Sequence, residues 1–177
     1  MFITEFFGFF SLSAFASWGF LMAFFFNAFV FTLGIKRNTT LLLSSFIMML
    51  SYTISNYFFT WLSVENSVYL DWALYDYATI AVLVLAFYIF KKTTPSFLYI
   101  ITGLILNSIF SLSMYLDIYI NENRDAWFLW DLYAFSVNII DLIMIVVLIV
   151  DRDFLGLHKL KNKLFKGSNT QPENNFS

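Results

Sequence analysis

Three carboxylates, Asp76, Asp131 and Asp141, stand inside long apolar runs, and three amides, Asn27, Asn107 and Asn138, stand in similar surroundings. In hydrocarbon such groups mark proton or cation sites, or they hydrogen-bond to one another and lock helices in register. Asp141 is the sharpest case. On a helix turning 100° per residue, Trp127, Asp131, Ala134, Asn138 and Asp141 share about a quarter of the circumference. The rise from Asp131 to Asp141 is about 15 Å, which carries this polar stripe from one interface to mid-membrane. An ionised, unpaired carboxylate at that depth costs at least about 2.5–3.5 kcal/mol. No Lys, Arg or His occurs in any of the apolar runs, so Asp141 has to be protonated, hydrogen-bonded or paired with something the chain does not encode. Asn27 and Asn107 lie at comparable depth and are the candidate partners.

Aromatic residues crowd the same end of the runs. Trp72, Tyr75, Trp127, Trp130 and Tyr133 form a candidate vestibule, with Asp76 one turn from Trp72. Carboxylates among aromatic rings suit an organic cation, which gains both charge and ring-quadrupole attraction; an interfacial aromatic belt is the competing reading. The pattern W-x-L-Y occurs twice, at Trp72–Tyr75 and Trp130–Tyr133, and a shift that pairs these also pairs Ile47 with Ile105 and Ser55 with Ser113. This is a weak sign of an internal parallel repeat of the kind some transporters carry. Asp71, near the start of its run, is expected at headgroup level, where a charge is cheap.

Other chemistries are missing. There is no cysteine and a single histidine, and no phosphate-binding glycine loop, HExxH or GxSxG occurs. No catalytic residue, metal or cofactor is assigned, a non-enzymatic role is favoured, and no nucleic-acid partner is expected.

The elements that must position these groups follow from composition. With 60% hydrophobic and 12% charged residues and a mean hydropathy of +0.74, the chain lies outside the globular range of roughly 45–50% and 25%. Five runs, at about 6–35, 40–63, 68–90, 96–120 and 127–150, each reach the roughly 20 residues that cross about 30 Å of hydrocarbon. The fold class is therefore all-α, a polytopic membrane protein with a bundle of five transmembrane helices over residues 1–151. Basic residues set the orientation. Lys36, Arg37, Lys91, Lys92 and Arg152 fall on one face with five spans, leaving Arg124 on the other. This predicts an outside N-terminus and a cytoplasmic C-terminus in a multi-pass protein of a bacterial cytoplasmic (inner) membrane.

Residues 152–166 read as a basic amphipathic helix whose Lys159, Lys161, Lys163 and Lys166 contact the anionic inner leaflet. Residues 167–177 read as a disordered tail. The function these features suggest is binding or conduction of a small cation, proton or lipophilic ligand through the polar stripe of the fifth span. The alternative is a non-catalytic accessory or effector subunit of a membrane assembly of immunity or defence type, whose polar residues serve only packing. A homo-oligomer or a protein partner is compatible with both.

Overall fold

A computed structural model describes residues 12–35, 38–57, 67–90, 94–125, 127–153 and 156–157. Among them the structure is all-helical: α1 (Leu12–Thr32), α2 (Thr39–Tyr57), α3 (Val68–Phe90), α4 (Pro95–Tyr115) and α5 (Phe128–Val150). The four tail lysines and residues 167–177 lie outside the described residues, as do the first part of run 6–35 and the last part of run 40–63.

Local chemistry fixes where helices begin. Asn38 Oδ1 accepts from Leu41 N at 3.3 Å, Ser67 Oγ from Leu70 N at 3.3 Å, and Thr94 Oγ1 from Phe97 N at 3.3 Å. Each is a side-chain acceptor serving a donor that the helix itself leaves unpaired. Pro95 follows Thr94 at the first helical position, where no N–H is needed. At its far end α4 widens into a π-helical turn, Leu116–Ile120, closed by Asn121 N donating to Leu116 O at 2.9 Å. α5 ends on Asp151 in the left-handed region, φ 50°.

Among the described residues, four helical segments are long and apolar enough to cross a membrane: Ala14–Thr32, Val68–Phe90, Pro95–Ile120 and Phe128–Val150. This supports a multi-pass membrane protein. α2 is more polar, with Ser44, Ser45, Ser51, Thr53, Ser55 and Asn56, and it sits among the others.

The helices pack in chain order, each against the next, and α5 returns to α1, so they close a ring; α2 also touches α4 across the middle. Small residues permit the closure. Ala16, Phe20, Ala23 and Asn27 form the buried stripe of α1, and a Cβ on Gly19 would collide with Ile145 of α5. A Cβ on Gly103 of α4 would lie 2.5 Å from Met144 Sδ. Outward faces are strongly apolar, as on α3, where Tyr88 is 76% and Ile89 72% exposed. Side chains of this kind belong against lipid.

The two halves of the ring differ. Toward the end where α5 finishes (the tail end), Phe20, Leu41, Met48, Leu83, Ile100, Leu104, Met144, Ile145 and Leu148 form one continuous apolar core. Toward the end that carries the α4–α5 loop (the loop end), the interior is polar and hollow. Polar fastenings close the tail end itself: Asp151 Oδ1 accepts from Ser96 Oγ at 3.0 Å, and Asp153 Oδ1 from the Tyr99 hydroxyl at 2.6 Å.

Candidate functional site

The hollow is a cavity of about 260 Å³ to which every helix contributes. Ala16 comes from α1; Ser51, Tyr52, Ser55 and Asn56 from α2; Trp72, Tyr75 and Asp76 from α3; Asn107 and Ser111 from α4; Tyr133, Ala134, Val137, Asn138 and Asp141 from α5. The alternating helix directions bring together late turns of α2 and α4 with early turns of α1, α3 and α5.

At the bottom lies a three-residue network. The Tyr52 hydroxyl donates to Asp141 Oδ1 at 2.6 Å, and Asn107 Nδ2 donates to the same oxygen at 2.8 Å. Asp141 and Asn107 are 7% and 4% exposed, so both bonds form away from solvent. Phe20 braces the arrangement, its ring centroid 4.2 Å from that of Tyr52, and the apolar core begins immediately beneath. Asp76 faces the same space from α3, close enough to Asp141 for the two charges to interact, with the Ser108 hydroxyl beside it. Aromatic rings form the wall. Tyr69 meets Trp72 and Tyr133 edge-on, at centroid distances of 5.7 and 5.6 Å.

Asp76, Asn107, Asn138 and Asp141 thus meet in one cavity, and Trp72, Tyr75 and Tyr133 line it. Asn138 also donates to Ala134 O of its own helix at 2.5 Å. The other expected members are elsewhere. Asn27 donates to Leu148 O at 3.1 Å, in the last turn of α5. There it serves a carbonyl at a helix end, where no intrahelical donor remains. Asp131 is exposed. The stripe containing it recurs every 3.5 residues on average, so on a helix of 3.6 it drifts by about 20° per seven residues and turns from surface to interior along α5.

Trp127 and Trp130 gather at the loop instead. Trp127 Nε1 donates to Asp117 Oδ2 at 2.8 Å, and Asn123 Nδ2 to Asp117 Oδ1 at 3.2 Å. Trp130 Nε1 faces the same carboxylate without completing a hydrogen bond. Asp71, expected at headgroup level, is only 2% exposed and lies beside Tyr75. Height along a helix is readable from sequence, but the direction in which a side chain points is set by packing.

Sequence reasoning did not assign Tyr52 to the site. A signal existed, because a tyrosine in the middle of a span needs a partner for its hydroxyl. Ser55, Asn56 and Ser111 were also unassigned. No protein-family model, curated protein or solved structure matches the chain.

Proposed function

We propose that this is an integral membrane protein of five spans whose cavity binds a small cation carrying an apolar body. In this reading the N-terminus and the loop end face outward in a bacterial cytoplasmic membrane, and the basic tail rests on the anionic inner leaflet. The observation that carries it is the meeting of Asp76 and Asp141 in one aromatic-walled cavity. No lysine, arginine or histidine lies on any of the described helices to neutralise them. A cation from outside would supply the missing charge and stack against the rings. The apolar layer beneath the network favours binding over open conduction, because a hydrated ion meets no polar path beyond Asp141.

The reading is tested by titrating organic cations into protein in lipid nanodiscs and following heat or thermal unfolding. Saturable binding should fall at least about tenfold in Asp76→Asn and in Asp141→Asn, as expected for losing a charged partner worth about 1.5–3 kcal/mol. Binding unaffected by both substitutions would remove the reading.

One observation favours a second reading. Asp141 Oδ1 already accepts two hydrogen bonds, as a residue kept for packing would. In that case the protein is a non-catalytic accessory subunit, homo-oligomeric or bound to a protein partner, and Asp141→Asn would leave its assembly intact.

A further inference from the structure

One buried acceptor in the cavity lacks a donor. Tyr52 and Asn107 both donate to Asp141 Oδ1, which leaves Asp141 Oδ2 and the Asp76 carboxylate as acceptors. Asn107 Oδ1 is buried and receives no hydrogen bond. Turning the Asn107 amide over would not help, since its oxygen would then face the carboxylate it now serves.

Several of the neighbouring donors are engaged elsewhere. Ser51 and Thr79 share a bond of 2.5 Å, Ser55 donates to Tyr52 O, and Asn56 donates to Ser17. Ser108, beside Asp76, donates to Leu104 O at 2.9 Å. A buried acceptor with no donor carries its full desolvation penalty, so an occupant bearing N–H groups is favoured over one that brings charge alone.

Resting on the cation-binding reading, we infer that the ligand is a primary ammonium on a small apolar body. Its N–H groups would serve Asp76, Asp141 Oδ2 and Asn107 Oδ1, and its body would lie among Trp72, Tyr75 and Tyr133. Size agrees with this choice. The cavity's 260 Å³ has room for one ring and a short arm and far exceeds a bare metal ion.

Three probes sharing one ring separate the possibilities: 2-phenylethylamine, its N,N,N-trimethyl derivative and 2-phenylethanol, each titrated against the unaltered protein in nanodiscs. The primary amine is expected to bind at least about tenfold tighter than the other two, the discrimination typical when a site's polar groups lose their partners. Equal or tighter binding of the trimethyl compound would overturn the primary-ammonium inference and leave the cation reading standing. Stabilisation by sodium or potassium without amine binding would overturn both, because neither ion carries an apolar body. Binding of the neutral alcohol as tight as that of the amine would overturn both, as would no binding by any probe or ion. Because the comparison uses ligands and not variants, it does not depend on a mutant folding.

Discussion

Two donors converge on one oxygen of Asp141, and this separates stability from binding at a single position. Asp141→Asn retains an oxygen for Tyr52 and Asn107 and should lower stability by no more than about 1 kcal/mol. Asp141→Leu leaves a buried hydroxyl and a buried amide without an acceptor, at about 1–3 kcal/mol each. Its loss should therefore reach about 2 kcal/mol or more, well above the roughly 0.6 kcal/mol average for an interhelical hydrogen bond in a membrane. Detergent unfolding titrations of both variants check this, and equal losses would contradict the network. Asp141, Asn107 and Asp76 were legible in the sequence because a carboxylate or amide in an apolar run stands out without knowledge of its neighbours. Tyr52 was not assigned to the site, since the need of its hydroxyl for a partner was legible but the partner, on a helix 89 residues away, was not. Asp71 and Asn27 show the other limit: their partners depend on which way each helix is turned.

At the scale of the helix, the all-α character was legible from the length of the apolar runs, whereas the Asn, Ser and Thr side chains that cap helix starts emerge from the structure. Interhelical fit was not legible, because it depends on residues distant in sequence. Gly103 shows this. Its Cα hydrogen faces Met144, so a side chain at residue 103 would require the Met144 side chain to shift. Gly103→Val should cost about 1–3 kcal/mol as overpacking. Met144→Ala, made in the same chain, should restore part of the loss, because the two residues touch and their effects are not additive. A double-mutant cycle of unfolding free energies measures the coupling; strict additivity would mean that the helices do not meet there. The drift of the α5 stripe is a related case. Its residues share a face locally, yet only the part near Asp141 is carried into the ring.

Across the whole molecule, an all-helical membrane bundle was evident from run lengths alone, whereas the hollow half and the filled half were not. The contrast comes from side-chain volume. Phe20, Met48, Leu104, Met144 and Leu148 fill the centre toward the tail end, while serines and alanines leave it open toward the loop. Asp141 lies about 14 Å of helical rise from the end of α5, so in a field falling evenly along the helix a cation held there has crossed roughly half of the span. A full crossing is worth about 2.3 kcal/mol per 100 mV for a unit charge. Ammonium binding in sealed proteoliposomes should therefore tighten about sevenfold per 100 mV when the compartment opposite the loop end is negative. An affinity indifferent to an imposed potential would overturn that expectation, and the sign of the response in native membranes would report which way the loop end faces. Through the depth of Asp141 in its span, the protein would read the membrane voltage as ligand occupancy.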